Sequence, residues 1–175
     1  MDTITERIDM ATLVIIRGNS GSGKTSLAHS LQKELGENTL LLSQDLLRRT
    51  MLQAHDGFDT PTVPLLLNLL DYGFNHHQTT ILEGILKSDW YQPVWQRIIE
   101  RYGLANTYAY YYDLPFYETL KRHNTRDKAN EFGEDALKRW WVEKDYLADI
   151  PETKLTKTLS LEVAKTLILS DLKKS

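Results

Sequence analysis

Cysteine is absent from the 175 residues, which excludes disulfides, thiolate nucleophiles and cysteine-held zinc. An excess of positive charge is absent too: 21 Lys and Arg face 24 Asp and Glu, giving a formal net charge of -3 and a pI near 6.0. No global field therefore recruits nucleic acid, and an oligonucleotide end remains an acceptor only through a local basic groove, which is not the favoured reading. No apolar run approaches the roughly 20 residues that a bilayer span requires. The stretch from Met1 to Ala11 lacks the apolar core of a signal peptide, so a cytoplasmic protein with no membrane partner is expected. His29, His55 and His123 lack metal-ligand spacing, so no zinc is expected. No repeat, low-complexity tract or linker divides the chain. What remains is 41% hydrophobic and 26% charged, the composition of an ordinary globular chain that residues 1–175 fill as one domain.

Apolar β-branched runs alternate with helical patterns, which points to βαβ units and an α/β fold around a parallel sheet. The run from Thr12 to Arg17 predicts a central strand, since apolar residues on both faces need cover on both. Further strands are predicted at Thr39–Ser43, Thr79–Glu83 and Thr107–Asp113, with a weaker fifth at Lys154–Leu159. A helix is expected from Lys24 to about Leu35, stopped by Gly36, and a short one from Leu46 to about Gln53. Others follow over Pro64–His77, Trp90–Tyr102, Pro115–His123 and Glu134–Leu147, and a last one capped by Ser160 runs to about Lys173.

Between the first strand and the first helix stands Gly18-Asn19-Ser20-Gly21-Ser22-Gly23-Lys24-Thr25, the complete P-loop (Walker A) pattern. Successive backbone N–H groups of such a loop curl around phosphate oxygens, a path that side chains would obstruct. The helix that follows presents its positive dipole end and unpaired N–H groups to the same anion. Lys24 is expected to reach the β- and γ-phosphates and the Thr25 hydroxyl to ligate Mg²⁺, with Ser26 completing the nucleotide-binding set.

A P-loop alone does not separate a kinase from a GTPase or a motor ATPase, and three further features favour the kinase. Asp45 closes the second strand, where ligands of open α/β sheets gather, and a carboxylate there can take the proton of an acceptor hydroxyl. Its competing role is a helix N-cap. Arg48, one turn on, suits an anionic part of the acceptor. Glu83 closes the third strand and suits either Mg²⁺ or the acceptor, the competing reading being a plain polar residue at a strand end. The basic run Lys121 to Lys128 lies where a closing lid is expected, with Arg126 the first candidate for the transferring phosphoryl group and Arg122 the second. A solvated charged face is the competing reading of that run. Trp90 and Tyr91 are placed to stack on an acceptor, or else to pack or cap, and Trp140 and Trp141 to pack the lid helix on the body.

The strings IIRGNSGSGKTSLA, LLSQDLLRR, ILEGILKSDWY, YYYDLPFYETLKRH and EFGEDALKRWW resemble small bacterial P-loop kinases of a group labelled AAA-type ATPase or uridine kinase. The layout is more distantly similar to zeta-toxin kinases, chloramphenicol phosphotransferase and polynucleotide 5′-hydroxyl kinases. The resemblance implies a three-layer P-loop NTPase fold, a five-stranded parallel sheet of order 2-3-1-4-5 with flanking helices, and a helical lid over about residues 122–147. It also implies that Asp45 is the acceptor-activating aspartate and that Arg48 contacts the acceptor. ATP and Mg²⁺ are then the expected donor and metal, and a nucleoside, sugar, antibiotic or oligonucleotide end the acceptor. The rival from another class is a nucleotide-binding regulatory module or slow ATPase without an acceptor. A GTPase is disfavoured because the chain has no Asn-Lys-x-Asp motif.

Overall fold

The computed structural model describes residues 10–76, 79–125 and 133–174. Five parallel strands form one sheet in the order β2-β3-β1-β4-β5, as expected. They are β1 (Thr12–Gly18), β2 (Leu40–Ser43), β3 (Thr79–Gly84), β4 (Thr107–Tyr112) and β5 (Glu152–Leu155). The helices are α1 (Lys24–Leu35), α2 (Thr62–His76), α3 (Gln92–Arg101), α4 (Phe116–Asn124), α5 (Glu134–Trp140) and α6 (Leu161–Lys173).

The alternation along β1 builds three layers. Leu13 and Ile15 point into a core with Leu66 and Leu70 of α2 and Val94 and Ile98 of α3. Val14 and Ile16 point the other way, against Leu27 and Leu31 of α1 and Ala164 and Ile168 of α6. All four β1 residues are fully buried, which is why this strand sits at the sheet centre. Among the described residues no helix is long and apolar enough to cross a membrane.

Several boundaries differ from the sequence expectation. The segment after β2 is helical over Leu46–Met51, but its turn is π-wound, a winding that apolar periodicity does not encode. Helix α2 begins at Thr62 and keeps Pro64 in its first turn, where a missing N–H costs nothing. Helix α5 stops at Trp140 rather than running to Leu147, because the next backbone groups are claimed elsewhere. Val142 exchanges hydrogen bonds with the Asn19 side chain, and the Leu147 N–H donates to Glu152. Strand β5 lies at Glu152–Leu155, two residues upstream of the expected start, which brings Glu152 beside β4 and within reach of Arg17. Ser160 caps α6 as expected, its Oγ accepting from the Val163 N–H at 3.3 Å.

The tyrosines give the fold a defined alkaline limit. Burial, the largest cause in each case, raises the phenols of Tyr91, Tyr102, Tyr110 and Tyr111 above their ordinary value. Tyr146, also burial-shifted and donating to Asp113, is pushed up to about 12. The native state therefore keeps protons that the unfolded chain releases near pH 10. Their contribution is complete below about pH 10 and is lost as the pH climbs from there through the folded values. The urea midpoint is expected to stay level to about pH 9.5 and then to fall steeply. Absorbance at 295 nm should show these five of the nine tyrosines ionising together with unfolding. Ionisation of all nine near pH 10 with an unchanged circular-dichroism spectrum would contradict the assignment.

Candidate active site

The P-loop leaves β1 at Gly18, which the sheet register sets beside Tyr112 of β4. A Cβ at Gly18 would lie 2.8 Å from the Tyr112 Cβ, so only glycine allows this close exit. Gly21 has φ +80°, and a Cβ there would meet the Thr119 carbonyl at 3.0 Å. Gly23, in the left-handed region at φ 110°, precedes α1 and brings no capping side chain, so the loop presents the amides of the first turn to an anion. Lys24 is nearly buried, its Nζ donating to the Asn19 carbonyl at 2.8 Å and to Ser22 Oγ at 3.3 Å. The ammonium thus curls over the loop it serves.

Parallel pairing places Ser43 of β2 opposite Glu83 of β3, and α1 brings Thr25 to the same carboxylate. Ser43 Oγ donates to Glu83 Oε1 at 2.5 Å, while Thr25 Oγ1 lies 3.3 and 3.4 Å from the two Glu83 oxygens. These are hard oxygen donors, and few of them. Such a set fits Mg²⁺, which takes one or two protein ligands beside phosphate oxygens and keeps several waters. Among the described residues no group of three His, Cys, Asp or Glu converges into an all-protein cage.

A cavity of about 400 Å³ runs from the P-loop across the end of β3 to the segment after β2. Lys24, Thr25 and Glu83 line it together with Asp45, Arg48 and Trp90, so sequence-predicted residues from four separate segments converge. The Asp45 carboxylate is about half exposed and is held by Arg48 at 3.0 Å and Arg49 at 2.7 Å. Asp45 has helical backbone angles and makes no side-chain capping bond, so the N-cap alternative is not realised. Arg48 also donates to the Ala54 carbonyl, leaving its buried Nε without an acceptor.

Other expected residues lie apart. Tyr91 is fully buried and absent from the cavity wall; its hydroxyl donates to Asp56 at 2.6 Å and accepts from Gln44 at 2.9 Å. Its expected stacking on an acceptor is corrected accordingly, because burial and these bonds hold it in the core. Asn19 turns its side chain away from the phosphate path and clasps Val142, its Nδ2 donating at 2.6 Å and its Oδ1 accepting at 3.0 Å. Ser20 lines the cavity, Ser22 is buried beneath it, and Ser26 is exposed on α1 outside it. Arg122 approaches the P-loop from behind, donating to the Ser22 carbonyl at 2.8 Å and pairing with Glu118 at 3.1 Å. Arg126 lies outside the described residues. His123 and Trp140, which the sequence reading kept apart from any ligand, line the cavity.

The residue most plainly missed is Arg17. Its side chain is fully buried at the end of β1, immediately before the P-loop. It pairs with Asp145 at 2.8 Å and Glu152 at 2.9 Å, and donates to the carbonyls of Leu86 and Asp145. Trp95 and Tyr111 cover the guanidinium at 5.3 and 5.5 Å from their ring centroids. Asp145 also receives the Ser88 N–H and hydroxyl. One arginine therefore knits three segments: the strand that launches the P-loop, the turn after β3 and the chain after α5. Leu86 sits in that turn at φ +45°, a strained angle for a leucine that its bonded carbonyl helps to hold. The available signal was a lone charge ending an otherwise apolar strand.

No curated protein matches the chain. Solved structures with the same fold include the APS kinase of Mycobacterium tuberculosis in complex with AMPPNP and APS. It is 19% identical at a TM-score of 0.66, and the match covers 95% of this chain and 99% of that one. A gluconokinase from Sinorhizobium meliloti is 14% identical at a TM-score of 0.67, over 93% and 94% of the two chains. The tunicamycin resistance protein of Deinococcus radiodurans is 18% identical at 0.61, over 93% and 95%. At these identities the likeness establishes the P-loop NTPase fold. A family model described as AAA domain matches residues 13–141, from β1 through α5, and the chain belongs to that family.

Proposed function

We propose that the chain is an ATP-dependent phosphotransferase that moves the γ-phosphoryl group of ATP to a hydroxyl of a small acceptor. The observation that carries this reading is the single cavity shared by Lys24, Thr25 and Asp45. The sheet order gives it room, since β3 separates the P-loop strand from the strand that delivers Asp45. Relatives named APS kinase and gluconokinase support transfer to a small molecule.

The loop amides and Lys24 hold the phosphate chain, and the first turn of α1 adds its dipole. Asp45 accepts the acceptor's hydroxyl proton as the acceptor oxygen bonds to the γ-phosphorus and the bond from phosphorus to the bridging oxygen breaks, leaving ADP. Arg48 and Arg49 fix the orientation of that carboxylate. Thr25 and Glu83 would hold Mg²⁺, which supplies charge neutralisation on the phosphate oxygens, while Ser43 orients Glu83. A lid rooted at Arg122, which bonds the Ser22 carbonyl, would exclude water from the phosphoryl group, for which Arg126 is the proposed ligand.

The direct trial gives the protein Mg²⁺ and ATP with a panel of nucleosides, sugars, antibiotics and oligonucleotides, following γ-phosphate into product and into water. An acceptor is expected to raise ATP consumption at least about tenfold and to carry the phosphate away. Slow hydrolysis, indifferent to every compound, would favour an ATPase or a regulatory nucleotide binder instead.

A further inference from the structure

Lys87 has no part in the chemistry described so far. It follows β3 in the turn that Arg17 pins through the Leu86 carbonyl, and it lines the cavity shared with Asp45 and Arg48. The side chain is half-buried, and its ammonium rests over the Trp90 ring, 4.1 Å from the centroid. Among the described residues no carboxylate pairs with it. Phe58 meets Trp90 edge-on at 6.2 Å. One face of Trp90 is thus a seat for Lys87 rather than a platform for an acceptor ring.

The acids of this cavity are already engaged. Asp45 accepts from Arg48 and Arg49. Asp56 accepts from the Tyr91 hydroxyl, the Gln44 amide and the Gly57 N–H. Glu83 accepts from Ser43 and Thr25. Four cations, Lys24, Arg48, Arg49 and Lys87, line this cavity with three carboxylates, Asp45, Asp56 and Glu83, and Asp45 pairs with the two arginines and not with Lys87. Arg48 keeps a buried Nε with no acceptor. A lysine desolvated on one side by an indole, with no carboxylate paired to it among the described residues, lacks the anion that would complete its surroundings. A neutral alcohol would leave it so.

We infer that the acceptor is a small alcohol bearing an oxyanion, received by Lys87 from its seat on Trp90 with Arg48 as the second cation, so that the hydroxyl is presented to Asp45. This names the substrate class of the phosphotransferase reading and rests on it. Carboxylate, phosphate and sulfate share the required chemistry, and matched ligands separate them.

The test first fills the P-loop with Mg²⁺ and AMPPNP, so that added anions cannot occupy it. Calorimetric titrations then compare gluconate with glucose, glycerol 3-phosphate with glycerol, adenosine 3′-monophosphate with adenosine, and a sulfated alcohol with its parent. At least one charged member is expected to bind about tenfold or more tightly than its neutral partner. Lys87→Gln should erase that ratio and Lys87→Arg should keep it, with AMPPNP affinity unchanged in both. Equal affinities in every pair, or a charge preference that survives Lys87→Gln, overturn the inference. The same pairs are then run with Mg²⁺ and ATP. Transfer to neutral members alone sinks the oxyanion claim and preserves the phosphotransferase reading. Lys87-dependent anion binding without transfer to any compound keeps the anion site and counts against the phosphotransferase reading.

Discussion

Asp45→Asn is expected to lower phosphoryl transfer by about 10²- to 10⁴-fold, the range for losing a positioned general base. Asparagine keeps the size of the side chain and one oxygen for Arg48 or Arg49, so the local packing survives. It does not take a proton from a hydroxyl, and it brings no negative charge to a cavity rich in guanidinium groups. The loss should fall on kcat with acceptor present, because Asp45 lies on β2's side of β3 and not in the phosphate cradle. ATP affinity should change by no more than about twofold, since the residues expected to hold the nucleotide are untouched. Arg48→Gln offers a comparison, because it removes one of two cations from the carboxylate without removing the base. A smaller fall, about tenfold, is expected there. Full transfer by Asp45→Asn would strip Asp45 of its role and leave the cavity's other polar residues to explain the chemistry.

The parts of the site that were legible in the sequence are those governed by backbone geometry. The glycines at 18, 21 and 23 are spaced by the path of the main chain, and Gly18 and Gly21 are hemmed in where a Cβ would collide. Asp45 and Glu83 were legible because strand ends of a parallel sheet share one edge, and the register sets Glu83 opposite Ser43 as that rule requires. Tertiary hydrogen bonds were not legible. Nothing local in Glu134 to Leu147 announces that Asn19, more than 100 residues away, will take the Val142 backbone and end the helix at Trp140. The same blindness separated Trp90 from Tyr91. As sequence neighbours they looked alike, but Trp90 reaches the cavity and Tyr91 is drawn into the core by Gln44 and Asp56. Arg17 was hidden for another reason: of its acid partners, Asp145 lies where the pattern suggested helix, and Glu152 lies between that helix and the expected start of the fifth strand.

Replacement of Arg17 by methionine is expected to cost about 3–5 kcal/mol of stability, the usual penalty for removing one partner of a buried ion pair. The magnitude follows from what remains. The Glu152 side chain is 3% exposed and Asp145 13%, so two carboxylates would stay largely desolvated without their cation. Against a typical total of about 5–15 kcal/mol this is a large share, readable as a fall in the urea midpoint at constant m-value. Arg17→Lys keeps the charge but supplies one compact ammonium where a planar fork now serves Leu86, Asp145 and Glu152 at once, so it should recover only part of the loss. Pairing Arg17→Met with Glu152→Gln should recover part as well, by removing an acid that the single variant strands. Acceptor use tests the architectural half of the argument. Arg17 holds the turn that carries Lys87, so the folded fraction of Arg17→Met should show a raised KM for a charged acceptor. ATP binding should suffer less, because Lys24 and the loop amides do not bond to Arg17. A methionine variant with an unchanged midpoint would mean that burying these charges costs as much as their pairing returns. The arginine would then be kept for the geometry of that turn alone.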